Sequence, residues 1–189
     1  VPSGGLPPHL KGGNRVIVNR IDCDRFGRGE TIVFTDSVEC VVTPKSKYTG
    51  KSMEGYHSKG WKEAFFIGRI VRLPGDTIRY ENAVLYVNDE KMDEPYLQEY
   101  LEAFAKDKLQ SIYTYNTQFQ ARAQVSTAFT VDTNFQPSFT VTVPEGHYYL
   151  LGDDRIVSQD SRAVGSFAKE DIKGKIIFRM WPLNRINLF

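Results

Sequence analysis

Short runs of β-branched and aromatic residues, repeatedly interrupted by turn sequences, restrict the fold of this chain more than any other feature. Such runs occupy residues 15–21, 31–34, 38–43, 65–73, 78–80, 84–87, 148–151 and 175–181. The sequence Pro74-Gly75-Asp76 ends one of them, and Glu81-Asn82 separates two others at hairpin spacing. Runs of this length and composition, bounded by glycine, proline and asparagine, are typical of antiparallel strands. The pattern therefore predicts an all-β fold.

One segment departs from the β pattern. Residues 94–110 place Leu97, Leu101, Phe104 and Leu109 among charged side chains at close to helical spacing, which predicts one short helix. Residues 111–144 are rich in threonine, phenylalanine, tyrosine, valine and glutamine, and this composition again favours strands.

Composition limits the classes of protein that the chain can represent. Hydrophobic residues make up 41% and charged residues 25% of 189 residues, which indicates a packed core in one domain or in a core with an inserted subdomain. The net charge of +1 argues against a broad nucleic-acid surface. No segment approaches the roughly 18 consecutive apolar residues that a membrane-spanning helix needs. Residues 1–5, Val-Pro-Ser-Gly-Gly, are unlike the rest and are interpreted as a remnant of expression rather than native chain.

Cysteine and histidine usage predicts neither a metal site nor a cofactor. His9, His57 and His147 are far apart in the sequence, and Cys23 and Cys40 do not form a metal-binding spacing. The two cysteines could form a disulfide outside the cytoplasm or remain two buried thiols.

Two segments carry a family resemblance. Residues 69–78 read RIVRLPGDTI, and residues 151–165 read LGDDRIVSQDSRAVG. They resemble two boxes of the type I signal peptidases, KRVxGLPGDxI and GDNRxxSxDSRxxG, and a match as long as the second is very unlikely by chance. Residues 28–34, 88–97 and 173–182 are also similar to family segments. The resemblance extends from about residue 6 to residue 183 and favours the Gram-positive type of the family, in the form found at streptococcal pilus loci.

The resemblance implies a fold and a location. We expect an antiparallel signal-peptidase-like β core from residues 6–80 and 146–189, with an inserted cap at residues 81–145 that contains one short helix. The family is tethered to the cell membrane, so the resemblance implies a single N-terminal anchor before this sequence and a domain outside the cytoplasm. Trp181 could lie in the core or at the membrane interface.

The positions of the family's catalytic dyad hold other residues. The family attacks the peptide bond with a serine hydroxyl and uses a neutral, desolvated lysine as general base. The register set by Leu10, Gly13, Val16 and Val18 places Gly5 at the serine position and His9 at the following threonine. The gapless match before Arg69 places Gly68 at the lysine position, so the base is absent. A hollow or water-filled floor is expected beside Gly68, and Asn14 and Arg72 also depart from the family boxes.

The resemblance also assigns residues around this site. Supporting residues are expected to be Asp153, Ser158, Asp160 and Arg162: the serine would hydrogen-bond the lysine from a strand beside it, and Asp160 and Arg162 would pair. With Gly68 in place, stabilisation of the fold is the favoured role of that pair. Leu10, Val16 and Ile67 are expected to line a groove for an extended polypeptide.

Other catalytic arrangements find little support in the sequence. Ser52 precedes Met53 but lacks the downstream proline, and Lys51, Lys59 and Lys62 lie in a polar stretch where lysine keeps a pKa near its reference value of about 10.4. His147 is expected to be structural. Three hypotheses remain: a non-catalytic homologue that binds exported or pilin polypeptide and assists pilus or surface-protein assembly, an active peptidase with a non-standard dyad, or a structural surface module.

Overall fold

The computed structural model describes residue 10 and residues 13–21, 25–42 and 58–188, of which 37–42 and 58–63 are described by their backbone. Strands dominate this part of the chain, so the predicted all-β class is confirmed. The strands are β1 (Arg15–Asn19), β2 (Thr31–Val42), β3 (Ser58–Arg72), β4 (Thr77–Glu81), β5 (Val84–Val87), β6 (Glu90–Met92), β7 (Phe139–Thr142), β8 (His147–Leu151), β9 (Phe167–Ala168), β10 (Ile172–Trp181) and β11 (Asn187–Leu188).

The strands form two antiparallel sheets. The larger sheet has the order β1-β10-β2-β3-β8-β9, with β11 paired to β10, and the smaller sheet has the order β6-β5-β4-β7. The long strand β3 belongs to the larger sheet and leads through the turn at residues 73–76 into β4 of the smaller one. This turn therefore joins the two sheets covalently.

Alternation of side chains along β3 and β8 divides the core. Ile70 and Leu150 belong to one apolar cluster, whereas the next residues, Val71 and Leu151, belong to another. The second cluster also contains Ile78 and other side chains of the smaller sheet. Because successive residues of a strand face opposite sides of the sheet, one face of β3 and β8 packs against the smaller sheet and the other face covers a separate core.

The prediction of a single short helix in the cap is wrong. Helix α1 (Gln98–Asp107) lies inside the predicted segment, but α2 (Thr117–Val125) forms in a stretch interpreted as β, and α3 (Ser161–Val164) follows later. The side chain of Asn116 accepts hydrogen bonds from the backbone N–H groups of Gln118 and Phe119, which satisfies donors that a helix start leaves unpaired. Of the expected strands in residues 111–144, only β7 is present in the structure.

The two longer helices pack on a third apolar cluster. Leu97, Tyr100 and Ala123 contribute to it, together with Ile156 from the segment after β8. Short 3-10 helices occupy Pro95–Leu97, Lys169–Asp171 and Leu183–Arg185. Among the described residues, none of the helices combines the length and apolar character needed to cross a bilayer.

Candidate functional site

Gly68 lies in the second half of β3, packed against the side chains of Phe34 and Leu150. It pairs with Ile32 of β2, and the next residue, Arg69, pairs with Leu151 at the end of β8. A Cβ atom added at Gly68 would lie 3.1 Å from Cε1 of Phe34. A hollow or water-filled space is expected beside Gly68 from the sequence. This expectation is wrong for the position that a Cβ atom would occupy, because the ring of Phe34 lies against it. Glycine permits this close approach since it has no Cβ.

The ring of Phe34 is itself held in place by aromatic neighbours. It stacks on Phe66 with ring centroids 5.7 Å apart and contacts Phe167 at 4.5 Å. A side chain at residue 68 would therefore require this packed ring to shift by a few tenths of an ångström. The position assigned to the general base is thus occupied by glycine and lies against a packed aromatic ring.

Ser158 lies between β8 and α3, so the expectation that a strand carries it is wrong. Its backbone N–H donates to the carbonyl of Asp154 at 3.1 Å. Its hydroxyl is buried and has no hydrogen-bond partner in the described part of the chain. By the family resemblance, this hydroxyl would hydrogen-bond the amine of the catalytic lysine. Because residue 68 is glycine, that position supplies no amine.

Asp153 binds the residue next to Gly68. Its two carboxylate oxygens accept hydrogen bonds from Nε and Nη2 of Arg69, each at 2.8 Å. Asp153 is fully buried, and the Arg69 guanidinium lies 4.1 Å from the centre of the Tyr96 ring. Such bidentate, charge-assisted pairs are among the strong hydrogen-bonded contacts in proteins, so Asp153 fixes β3 to the segment that follows β8.

Asp160 and Arg162 form a second buried bidentate pair. Nε and Nη2 of Arg162 donate to the two oxygens of Asp160 at 2.9 and 2.8 Å. Asp160 also accepts a hydrogen bond from the backbone N–H of Gly152, and its side chain caps the start of α3. Nη1 of Arg162 donates to the carbonyl of Val131 at 3.0 Å. The pair thus joins the end of β8, helix α3 and the segment before β7.

Sequence reasoning missed a third pair and an unusual carboxylate beside it. Nη2 of Arg155 donates to Oε1 of Glu94 at 2.6 Å. Burial disfavours the charged form of Arg155, but the carboxylate of Glu94 holds the pKa of Arg155 well above the ordinary arginine value. Asp154 accepts hydrogen bonds from the hydroxyls of Tyr100 and Tyr113. Burial raises the pKa of Asp154, while these hydrogen bonds oppose the rise.

The three residues predicted to line a groove lie in one apolar cluster. Leu10 is fully buried, whereas Val16 and Ile67 are partly buried, and all three pack with Ile176 of β10. Gly5, His9, Cys23, Lys51, Ser52 and His57 lie outside the described residues, as do the side chains of Cys40, Lys59 and Lys62.

The remaining predicted residues are at the margins of the larger sheet. His147 begins β8, and its Nδ1 lies 3.0 Å from the carbonyl oxygen of Glu145. Trp181 is 48% exposed, which contradicts the core position, one of the two alternatives left open for it. Within residues 58–188 and the shorter described stretches, no three histidine, cysteine, aspartate or glutamate side chains form a metal-binding group.

Comparison with known proteins gives consistent matches. The family described as "Signal peptidase, peptidase S26" matches residues 1–181. Signal peptidase I of Streptococcus pneumoniae serotype 4 is 52% identical over 130 residues, which cover 65% of this chain and 64% of that protein. Signal peptidase IB of Staphylococcus aureus is 32% identical over 183 residues, or 95% of this chain and 74% of the relative. A signal peptidase I structure from Enterococcus faecalis aligns with a TM-score of 0.45 and 23% identity, covering 80% of this chain and 97% of the other. The chain therefore spans slightly less than two thirds of the pneumococcal relative.

Proposed function

The chain belongs to the signal peptidase family, peptidase S26, and on this basis we propose that it is a non-catalytic member that binds exported polypeptide. The observation that carries the proposal is Gly68. A serine hydroxyl must lose its proton to attack a peptide carbonyl, and a positioned base has to accept that proton. Glycine cannot accept a proton, and β3 pairs with β2 without a register shift, which places Gly68 opposite Ile32.

Two further observations support the same reading. The Phe34 ring fills the start of the path that a lysine stem would take, and the buried hydroxyl of Ser158 lacks a partner among the described residues. An unpaired buried hydroxyl costs about 1–3 kcal/mol. A working dyad would satisfy that hydroxyl, so its isolation fits a site in which the chemistry has been lost.

Binding does not require the dyad. An extended polypeptide can be held by main-chain hydrogen bonds to a strand, with alternate side chains in pockets. Val16 and Ile67 are partly buried and pack against Leu10, which is fully buried, so they offer an apolar surface for small side chains beside β3. We propose that these residues line a groove for exported or pilin polypeptide, and that the protein assists pilus or surface-protein assembly. A membrane anchor that precedes this sequence would hold the domain outside the cytoplasm.

A paired cleavage and binding assay tests the proposal. The full-length protein is incubated for hours with a preprotein that carries a small-x-small cleavage site, with pneumococcal signal peptidase I as positive control. No product is expected. A fluorescent peptide from the same preprotein should bind, as measured by fluorescence polarisation. Ile67→Asp should weaken this binding, whereas Ile186→Asp, at a residue that is 52% exposed, should not.

The outcomes separate the competing hypotheses. Cleavage that is abolished by Ser52→Ala or Lys62→Ala would show that a relocated dyad is active and would refute the non-catalytic role. Absence of both cleavage and binding would leave the chain as a structural surface module. Binding that Ile67→Asp and Ile186→Asp weaken equally would place the polypeptide away from the proposed groove.

A further inference from the structure

Two arginines share one carboxylate at the turn between β3 and β4. Nε and Nη2 of Arg28 lie 3.2 and 2.7 Å from Oδ2 of Asp76. Nε of Arg72 lies 3.6 Å from the same oxygen, which is too long for a hydrogen bond. The other oxygen of Asp76 accepts from the side-chain amide of Asn88 at 3.0 Å. The cluster thus has two positive charges and one negative charge.

Arg72 is the member of this cluster whose donors are not satisfied. It is fully buried, and its one hydrogen bond runs from Nη1 to the carbonyl of Val141 at 3.3 Å. Nε and Nη2 have no hydrogen-bond partner among the residues that the structure describes. Burial, followed by repulsion from Arg28, lowers the pKa of Arg72 to about 10, so the guanidinium still carries its charge at neutral pH. A buried arginine is seldom left in this state.

The unused donors have a specific geometry. In Arg69 and Arg162, the same Nε and Nη2 atoms donate in parallel to the two oxygens of a buried carboxylate. This edge of a guanidinium matches the spacing of two oxygens in a carboxylate or phosphate group. In Arg72 the edge is formed but lacks its acceptor, since the nearest carboxylate oxygen is already bound by Arg28.

We propose that the Nε–Nη2 edge of Arg72, with Arg28 beside it, binds a small oxyanion of the carboxylate or phosphate type. The side chain of Arg28 is 35% exposed, and that of Asp76 is 11% exposed, so the anion approaches from the side of Arg28. Arg28 also lines a cavity of about 240 Å³. The site is formed by the turn after β3 and does not depend on the function proposed for the region of Gly68.

Anion titration of the folded protein tests the site. Inorganic phosphate and, in a separate arm, acetate are titrated at pH 7 with ionic strength held constant by sodium chloride, and the melting temperature Tm is recorded. Phosphate at ten times its Kd should raise Tm by about 3–6 °C in a saturable manner. Arg72→Met should abolish the response. Arg79→Met is the matched control, because Arg79 lies on β4 with a partly exposed side chain and pairs with Glu81, and it should respond like the wild type.

The two arms distinguish the source of the oxyanion. A response to acetate as well as phosphate shows that a carboxylate, including one carried by a polypeptide, is accepted, whereas a response to phosphate alone restricts the site to that anion. An equal rise in Arg72→Met would mean a general salt effect, and a flat wild-type titration would mean that bound water satisfies the arginine; either result overturns the proposal. If Arg72→Met does not fold, Arg72→Lys keeps the charge without the edge and should lose most of the response.

Discussion

Removal of the Asp160 carboxylate is expected to destabilise the protein far more than removal of an exposed partner in an ion pair. In Asp160→Ala the guanidinium of Arg162, whose side chain is 7% exposed, would stay buried without its counter-charge. The backbone N–H of Gly152 and the start of α3 would lose their acceptor as well. The variant therefore leaves several buried donors unpaired while it removes a single side chain.

The structure sets the size of the effect. Breaking a buried pair by removing one partner costs about 3–5 kcal/mol. For a domain of this length each kcal/mol lowers Tm by about 2–4 °C, so Asp160→Ala should lower Tm by about 6–20 °C. Glu81→Ala is the control, because the side chains of Arg79 and Glu81 are 37% and 54% exposed. An exposed pair contributes about 1 kcal/mol or less, so this variant should change Tm by less than about 4 °C.

Differential scanning calorimetry of both variants provides the measurement, and a double variant isolates the cause. Asp160→Ala combined with Arg162→Leu removes the stranded charge and should recover part of the lost stability. The reasoning fails if Asp160→Ala lowers Tm by no more than Glu81→Ala does. It also fails if the second substitution deepens the loss, because the penalty would then not come from the unpaired guanidinium.

Two further predictions concern the buried carboxylate and the closed glycine. Burial raises the pKa of Asp154 from its ordinary value of 3.8, so its contribution to stability is complete below that value and falls as the pH rises through the folded-state pKa. Asp154→Asn removes the titrating group, and its amide oxygen can still accept from one tyrosine hydroxyl while its N–H donates to the oxygen of the other. This variant should remove the fall in urea unfolding between pH 4 and pH 8, and parallel wild-type and variant curves would contradict the prediction. Gly68→Ala places a carbon 3.1 Å from Phe34 and should cost about 1–3 kcal/mol through overpacking. The same change in a Phe34→Leu background should cost less in thermal unfolding, and equal costs would show that the ring is not the obstacle.

The strands and the first helix could be predicted because their patterns are local. Alternation and turn residues mark β4 and β5, and helical spacing marks α1. Helix α2 was not predicted, since only Ala123 within it is buried and its apolar stripe is too short to stand out. The informative signal was the capping residue Asn116, which precedes a stretch of good helix formers.

The candidate site shows the same division between local and distant contacts. Asp160 and Arg162 are two residues apart, so their pairing could be expected from one box. Arg155 and Glu94 are separated by 61 positions, and Arg69 and Asp153 by 84, so no local pattern indicates either pair. The closure of Gly68 by Phe34 likewise depends on the register between β2 and β3, which the sequence alone does not define.

The ion pairs of the segment after β8 have a consequence for how protein families are counted. Through Asp153, Arg155 and Asp160, this short stretch is tied to β3, to the residue before the first 3-10 turn and to its own helix. A chain that needs these ties in order to fold will keep the box whether or not it cuts peptide bonds. If the proposed non-catalytic role holds, the box is a marker of foldability, and genome surveys that use it to count proteases will include proteins that cut nothing. Reading residue 68 separately would distinguish the two groups.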